Sequence, residues 1–273
     1  MSQSEDSQIL FSQGHVLRKL GHFGSAIAKY DRALETQPHD YKLWSSRGYA
    51  LEGAGRYEEA AKSFDQAISL RGNYAAAWQG RGIALAKLSY YEEALDSFDR
   101  ALKLQPKDYR AWMNHGKALM NLCRYRDAIA SFERVLDLKS DSYKAWYNKA
   151  VAQSCLNKYT EALVSLDHCL LIKPTCHYAW NYRGMVQAKL SEFAAALESF
   201  DRSLKLKNNN PNAWYGRACC FALQDMADLA IENLQRAITF SPYLCKVMAN
   251  SDINFQRIRG DRRFQALLDS QAG

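Results

Sequence analysis

The sequence lacks the long apolar stretch that a membrane-spanning helix requires. No run of apolar residues approaches the ~20 that cross a bilayer. The chain begins MSQSEDSQIL, which contains neither a basic segment nor a continuous apolar stretch, so it does not resemble a secretory signal peptide. These absences predict a cytoplasmic protein without membrane insertion.

The sequence also lacks an even set of cysteines of the kind that forms a disulfide framework. It contains seven cysteines, an odd number, and none precedes Cys123. Together with the missing signal peptide, this count predicts reduced thiols in the cytosol. The net charge of +7 and the pI near 9.0 favour acidic partners without identifying them.

Sequence motifs of common enzyme active sites are missing. The chain contains no G-x-x-x-x-G-K-[ST], G-x-G-x-x-G, G-x-S-x-G or H-E-x-x-H. Its carboxylates recur periodically, which repeated structure explains better than paired acid–base chemistry does. We therefore predict no catalytic residues, no cofactor and no enzymatic activity.

One cluster of cysteine and histidine resembles a set of zinc ligands. His168 and Cys169 are followed by Cys176 and His177, so four possible ligands lie within ten residues. Adjacent ligands at 168 and 169 would point in different directions around a helix, and Cys169 falls at a position that packs in the other repeats. The sequence therefore favours small packing residues over a metal site.

The sequence does contain a strict period. Six short segments share a tryptophan, usually followed four residues later by glycine or alanine, and consecutive tryptophans lie 34 residues apart. They are Trp44, Trp78, Trp112, Trp146, Trp180 and Trp214, and the protein has no others. Such a spacing indicates a repeated structural unit.

Each repeat contains two stripes of apolar or small residues at helical spacing. In the unit 75–108 they are Trp78, Gly82, Leu85 and Leu88, then Ala94, Leu95, Phe98, Ala101 and Leu102. The second stripe ends at Gln105–Pro106, as expected where proline follows the last turn of a helix. The pattern predicts two antiparallel helices joined by a tight turn.

Small and aromatic residues recur in matching columns of the repeats. The Gly82 column holds glycine or alanine, and the Phe98 column holds an aromatic residue or leucine. We expect close helix contacts at these positions, with the tryptophans as packing knobs. Burial of one such aromatic stabilises by ~2–3 kcal/mol, so the tryptophans are predicted to be the main contributors to the core.

These residues give the chain a resemblance to tetratricopeptide repeat proteins, in a bacterial-type array. The resemblance covers seven units: 7–40, 41–74, 75–108, 109–142, 143–176, 177–210 and 211–244. It implies an all-α fold, a right-handed α-solenoid (superhelix) of helix-turn-helix repeats, whose first helices line a concave groove. We further expect a disordered segment at 1–6 and C-terminal capping helices at 245–273.

Two charged columns predict a ladder of ion pairs within or between adjacent repeats. One column reads Gln13, Arg47, Arg81, His115, Lys149, Arg183 and Arg217. The other reads Asp31, Asp65, Asp99, Glu133, Asp167, Asp201 and Gln235. Because the first column shares its stripe with the tryptophans, its charges should be partly buried and need partners. The alternative is that both columns are solvated.

The columns predicted to face the groove are basic, with tyrosine and methionine between the charges. The candidate peptide-binding residues are Lys42, Tyr49, Gln79, Lys87, Arg110, Met113, Asn114, Lys117, Lys144, Tyr147, Asn148, Asn181 and Tyr215. With Lys189, six bases face a single acid, Glu52. This composition suits an extended acidic or mixed segment of a partner protein. Helix propensity at exposed positions is the competing explanation.

Other partners are less consistent with the sequence. The carboxylate clamp of chaperone-binding members requires a lysine in the Gln79 column, and no repeat has one. Nucleic-acid binding through the basic face is an alternative, but a continuous Arg/Lys stripe and a known motif are missing. Regulation of an enzyme supplied in trans stays open. The tail at 245–273 argues against self-association through an open end of the solenoid.

Overall fold

The computed structural model describes residues 3–269, with side chains from Asp6 onward, and these residues contain helices and no strand. The chain divides into two compact units, one up to Ser140 and one from Asp141. The first unit contains α1 (Gln3–Lys19), α2 (Phe23–Thr36), α3 (Tyr41–Gly53), α4 (Tyr57–Leu70), α5 (Ala75–Lys87), α6 (Tyr91–Leu104), α7 (Tyr109–Asn121) and α8 (Tyr125–Leu138).

The second unit continues the same alternation and ends in shorter helices. It contains α9 (Tyr143–Cys155), α10 (Tyr159–Ile172), α11 (His177–Lys189), α12 (Phe193–Leu206), α13 (Pro211–Leu223), α14 (Ala227–Phe240), α15 (Pro242–Ser251), a 3₁₀ segment (Ile253–Ile258) and α16 (Arg262–Asp269). Within each repeat the first helix packs on the second, and inside each unit the second helix packs on the first helix of the next repeat. The predicted all-α solenoid of helix pairs is confirmed.

A left-handed backbone conformation ends the first helix of every repeat. Seven residues spaced 34 apart have φ between 56° and 80°: Gly21, Gly55, Ser89, Cys123, Asn157, Ser191 and Asp225. Such a residue reverses the chain direction in a few residues, which places the second helix antiparallel to the first. Only two of the seven are glycine, although glycine adopts this conformation without steric cost.

The core lies between the helices of each repeat, where an aromatic ring meets a glycine. Phe64, Phe98 and Phe132 have at most 1% of their surface exposed. A Cβ atom added at Gly82 would lie 2.6 Å from the ring of Phe98, so the helices approach closely because Gly82 has no side chain. Gly80, on the adjacent side of α5, leaves similar space for Phe64 of the preceding repeat.

The tryptophans pack at the edge of the core, and the Phe98 column lies at its centre. All six are only half-buried, whereas the Phe98 column is buried throughout the chain. The Trp78 indole N–H donates to the carbonyl of Gly72 at 2.8 Å, and Trp112 donates to the carbonyl of Pro106 at 2.9 Å. An indole N–H must keep a hydrogen-bond partner, and here that partner lies in the exposed turn between repeats. The tryptophans therefore tie these turns to the first helices.

The ion-pair ladder is confirmed, and its pairs join adjacent repeats. Arg81 Nε lies 2.6 Å from Asp65 Oδ1 of the preceding repeat, while its Nη1 donates to Ser97 of its own second helix at 2.8 Å. The Arg81 side chain is 23% exposed and that of Asp65 is 52% exposed. Equivalent pairs are Arg47–Asp31, His115–Asp99, Arg183–Asp167 and Arg217–Asp201. Each of these side chains therefore connects three helices.

The two ends of the array differ from the sequence-based expectation in different ways. Helix α1 begins at Gln3, so residues 3–6 form its first turn rather than a disordered segment. Residues 1–2 of that segment lie outside the described residues. The buried Ser7 hydroxyl donates to the carbonyl of Ala33 at 3.5 Å and holds this turn against α2.

At the other end, α15 already begins at Pro242, inside the unit predicted to end at 244. Phe255 and Phe264 are completely buried in one apolar cluster with residues of α13 and α14. The C-terminal helices thus cover the last repeat, while residues 270–273 of the predicted cap lie outside the described part. None of the helices described is both long and apolar enough to cross a membrane.

Candidate functional site

The inner face of each unit is formed by the first helices of its repeats. In the first unit α1 contacts α3, α3 contacts α5, and α5 contacts α7, whereas the second helices of successive repeats contact one another less. In the second unit α11 contacts α13 in the same way. The first helices are therefore the closer-spaced layer, and the candidate residues from the sequence lie on them.

The first unit exposes four cations on this face: Lys42, Lys87, Arg110 and Lys117. Burial raises the pKa of the half-buried Glu52, and the charge of Lys87 opposes that rise. Lys87 therefore has a carboxylate partner nearby.

Two of these cations lie over tyrosine rings at the starts of their helices. Lys42 Nζ is 6.0 Å from the ring centre of Tyr41. The Arg110 guanidinium is 5.8 Å from the ring centre of Tyr109, and Arg110 Nε donates to the Tyr109 hydroxyl at 3.4 Å. These contacts orient the cations without removing them from solvent.

The uncharged candidates of the first unit are less accessible. The Tyr49 hydroxyl donates to the carbonyl of Ala76 at 2.7 Å, and its ring packs edge-on against Phe64 with 5.0 Å between centroids. Burial raises the pKa of Tyr49. Gln79 on α5 and Met113 and Asn114 on α7 are half-buried. Tyr49 thus fixes two repeats together and offers only part of its ring to a ligand.

The second unit carries a tyrosine cluster on its first helices. Tyr147 meets Tyr178 and Tyr182 edge-on, with ring centroids 4.8 and 5.8 Å apart. Burial raises the pKa of Tyr147 to about 12. Lys144 is exposed beside the cluster, and Asn148 donates from Nδ2 to the carbonyl of Lys144 at 2.8 Å. The cluster provides rigid apolar area next to a cation.

Asn181 contributes a hydrogen-bond acceptor without a protein partner. Its side chain is buried, and its Nδ2 donates to Met185 Sδ at 3.7 Å. Within the described part of the chain, Asn181 Oδ1 is buried and accepts no hydrogen bond. A buried amide oxygen of this kind favours a donor from water or from a bound peptide.

A cavity of about 390 Å³ lies between α11, α13 and the C-terminal cap. Its wall includes Met185, Lys189, Asn212, Tyr215, Cys219, Met248, Asp252 and Asn254. Tyr215 is 7% exposed, and its hydroxyl donates to Asp252 Oδ2 at 2.8 Å. Burial raises the pKa of this hydroxyl. Tyr215 therefore forms a largely buried part of the cavity wall.

Among the cavity residues that sequence reasoning missed are Met248, Asp252 and Asn254. They follow the last repeat, where the period of 34 no longer assigns a residue to a face. The only sequence signal was that the tail should cap the array.

The residues predicted to form the centre of the groove are divided between the two units. Arg110, Met113 and Lys117 lie in the first unit, and Lys144, Tyr147 and Asn148 lie in the second.

The cysteines and histidines near residue 170 do not form a cluster of metal ligands. The His168 ring stacks on Trp146 with centroids 4.4 Å apart, while Cys169 and Cys176 are buried in an apolar cluster. Over residues 3–269, three or more His, Cys, Asp or Glu side chains nowhere come together as a possible metal site.

A family model of the tetratricopeptide repeat matches residues 11–81, 113–167 and 183–244. A second model of the same repeat matches 75–108. The chain belongs to the tetratricopeptide repeat family. No curated protein sequence matches it. Members of the family bind protein or peptide partners.

Several solved structures are similar to this chain. One from Parabacteroides merdae covers 90% of this chain and 98% of that chain, at 18% identity and a TM-score of 0.70. YrrB, described as having an unusual peptide-binding site, covers 67% and 95%, at 21% identity and a TM-score of 0.59. MamA from Desulfovibrio magneticus RS-1 covers 62% and 96%, at 22% identity and a TM-score of 0.60. At these identities the likeness shows a shared fold.

Proposed function

We propose that this tetratricopeptide repeat protein is a non-enzymatic scaffold that binds an extended acidic or mixed segment of a partner protein along its first helices. The observation that carries the proposal is the charge of that layer. Exposed Lys42, Arg110 and Lys117 in the first unit and Lys144 and Lys189 in the second have tyrosine or methionine beside them. Carboxylates of a partner would pair with these cations and set orientation and association rate.

The two units contribute different contacts to this proposal. In the first unit, Met113 and Gln79 lie between the cations and suit the backbone and small side chains of an extended segment. In the second unit, the cavity bounded by Met185 and Met248 has room for a bulky apolar side chain. Lys189 at its edge would meet a carboxylate next to that anchor. We therefore expect bound segments to combine acidic residues with leucine, methionine or phenylalanine.

The test is a selection of random peptides against the purified chain, followed by affinity measurement with the enriched, fluorescently labelled peptides. The wild type is compared with Arg110→Glu/Lys117→Glu/Lys144→Glu, which reverses three exposed charges of the first helices. The matched control is Lys62→Glu/Lys103→Glu/Lys205→Glu, which reverses three exposed charges on second helices. Both variants have the same net charge, so long-range effects are equal.

We expect enrichment of peptides rich in Asp and Glu, with affinity at least tenfold weaker for the first variant and nearly unchanged for the control. Equal binding by all three proteins would place the contact elsewhere and overturn the proposal. Enrichment without acidic residues would contradict the predicted partner chemistry. A single-stranded RNA oligonucleotide serves as the competing probe, because tight, strongly salt-dependent binding to it would favour nucleic acid.

A further inference from the structure

Two buried cysteines lie together at the junction of α10 and α11. Cys169 is in the last turn of α10, and Cys176 is the residue just before α11. Both side chains are at most 1% exposed and belong to the same apolar cluster. Their thiols are close enough to form a hydrogen bond with each other. The junction between the fifth and sixth repeats therefore holds two thiols in direct contact.

The next repeat shows that this contact follows from the fold. There Ser203 and Asn210 occupy the two equivalent positions, and Asn210 Nδ2 donates to Ser203 Oγ at 3.1 Å. Side chains at these positions thus meet across the turn between repeats, although they are seven residues apart. Four of the other six repeats have alanine at the position of Cys169. Packing alone therefore does not require a thiol there.

The two thiols differ in acidity. The hydrogen bond with Cys169 is the main cause that lowers the pKa of Cys176 to about 6, against the opposing effect of burial. Contacts with Tyr178 and the Ala179 N–H, and the charge of Lys173, act in the same direction as that hydrogen bond. The same hydrogen bond and burial raise the pKa of Cys169. Cys176 is therefore the thiolate of the pair, and Cys169 is the thiol that donates to it.

Polar side chains connect Cys176 to the surface of the protein. Lys173 Nζ donates to the Tyr143 hydroxyl at 3.2 Å and lies 4.5 Å from the centre of its ring. Tyr178 forms hydrogen bonds with both the Tyr143 hydroxyl and the Cys176 sulfur. The two residues that precede Cys176 in the turn are exposed. Cys176 thus lies just beneath the surface, within reach of an oxidant as small as hydrogen peroxide and shielded from larger ones.

We propose that Cys169 and Cys176 form a redox site, at which hydrogen peroxide oxidises the two thiols to a disulfide that joins α10 to α11. The Cys176 thiolate attacks one peroxide oxygen, the O–O bond breaks, and hydroxide leaves as Cys176 becomes a sulfenic acid. The Cys169 sulfur then attacks the Cys176 sulfur, so that the S–S bond forms, the S–O bond breaks and a second hydroxide leaves. The two hydroxides take up the two thiol protons. In total the thiols lose two electrons, and one peroxide becomes two water molecules.

The first test treats the reduced wild-type protein with a small excess of hydrogen peroxide, then denatures and alkylates it for mass spectrometry of tryptic peptides. Trypsin does not cleave before Pro174, so both cysteines remain in the peptide 159–183. We expect this peptide to lose two hydrogen atoms and both alkylation sites, and dithiothreitol to reverse the change. The internal control is the peptide 218–236, whose Cys219 and Cys220 are buried thiols with pKa values raised by burial. It should stay fully alkylated.

Two results of this test would overturn the proposal. One is a peptide 159–183 that stays fully alkylated while the exposed Cys123 and Cys155 are oxidised. The other is an equal loss of alkylation in the peptides 159–183 and 218–236, because it would indicate oxidation of unfolded chains rather than of a site in the folded protein.

The second test assigns the roles of the two sulfurs with substitutions that other repeats already contain. Cys169→Ala introduces the residue found at Ala101, and Cys176→Ser introduces the residue found at Ser142. Oxidation of Cys169→Ala should stop at the Cys176 sulfenic acid, which gains one oxygen atom and is captured by dimedone during denaturation. Cys176→Ser should leave Cys169 fully alkylated. The reverse pattern, or the same response from both variants, would refute the mechanism. Circular dichroism confirms that each variant is folded.

The third test measures what the disulfide does to the junction. It closes the short loop 169–176, which restricts the conformations open to this turn when the helices separate. In a background with the exposed Cys123 and Cys155 replaced by serine, oxidation should slow amide exchange in the last turn of α10 and the first turn of α11 by about tenfold. The same treatment of Cys169→Ala in that background should change nothing there. Exchange that is equally fast before and after oxidation would contradict a bridge across this turn.

Discussion

At the scale of single residues, glycine and an aromatic residue occur together at the centre of each repeat. Gly48, Gly82 and Gly116 in the first unit each leave space for the phenylalanine sixteen residues later. In the fifth and seventh repeats the pair becomes Ala150 with Leu166 and Ala218 with Leu234. The added methyl group is thus matched by a different side chain opposite. The two positions act as one steric unit.

This pairing predicts that the effect of Gly116→Ala on stability depends on which residue occupies position 132. Gly116→Ala should destabilise by about 1 kcal/mol, because its Cβ would lie 2.6 Å from the Phe132 ring and overpacking outweighs the gain in helix propensity. In a Phe132→Leu background, which itself costs about 1–2 kcal/mol, the same Gly116→Ala should be neutral or stabilising. Urea unfolding midpoints of the four proteins measure the cycle. An equal effect of Gly116→Ala in both backgrounds would refute the steric explanation.

The turn after each first helix gives a second prediction. Cys123 has a φ of 56°, which costs a non-glycine residue about 1 kcal/mol, and its side chain is exposed. Cys123→Gly should therefore raise the free energy of unfolding by about 1 kcal/mol. Asn157→Gly, at a φ of 59°, should gain less, because asparagine tolerates this conformation. Thermal unfolding of both variants decides the point, and a loss of stability in Cys123→Gly would contradict it.

At the scale of secondary structure elements, the ladder makes five first helices bridges between two second helices: α3, α5, α7, α11 and α13. His115 occupies the position held by arginine in several other repeats. Its Nε2 lies 3.3 Å from Asp99 Oδ1, and its Nδ1 lies 2.9 Å from the Ser131 hydroxyl. A neutral imidazole has one N–H and cannot donate to both. Arginine in the same column stays charged and donates to both neighbours.

His115 predicts that the contacts of α7 with its neighbours lose stability as the pH falls. Burial lowers the pKa of His115, although Asp99 opposes the effect; Arg124 lowers and Asp127 raises that pKa to a smaller extent. A lowered pKa means that the unfolded state binds protons more readily, so stability is full above about pH 6.5 and falls as the pH drops. His115→Arg should remove this loss. Urea midpoints of both proteins at about pH 7.5 and about pH 5.5 test it. The gain in stability of His115→Arg over the wild type must be larger at the lower pH than at the higher one.

Much of this element-scale arrangement could be predicted from the sequence. The 34-residue period located the helix pairs, and the charged columns predicted the ladder, because both follow from helical spacing. The position of the tryptophans at the edge of the core could not be predicted, because their size suggests full burial, while the indole N–H requires a partner in the turn. Met248 and Asp252 could not be assigned to the candidate site, since their positions depend on how an aperiodic tail folds onto α13 and α14. The occupancy of the inner face by a peptide is still a prediction.

At the scale of the whole molecule, stability should pass from each repeat to its neighbours only. Within each unit, each helix pair contacts the next pair along the chain, and packing between more distant pairs of the described residues is minor. Such a linear array is described by repeat stabilities and nearest-neighbour interfaces. The C-terminal cap therefore acts on the last repeats most strongly. Asp252 is the centre of that cap, because its carboxylate accepts from the Tyr215 hydroxyl at 2.8 Å and from the Asn254 N–H at 2.9 Å.

Asp252→Ala should loosen the end of the second unit and leave the first unit unchanged. Loss of hydrogen bonds to a charged acceptor costs about 1.5–3 kcal/mol, which corresponds to amide exchange at least about tenfold faster where the cap holds the chain. We expect this acceleration in α13, α14 and α15, a smaller one in α11, and none in α1–α8. Hydrogen–deuterium exchange measures each helix. The control Asp137→Ala removes an exposed ion pair with Arg134 on α8 and should have little effect. Uniform acceleration across all helices would instead show that the chain unfolds as one cooperative unit.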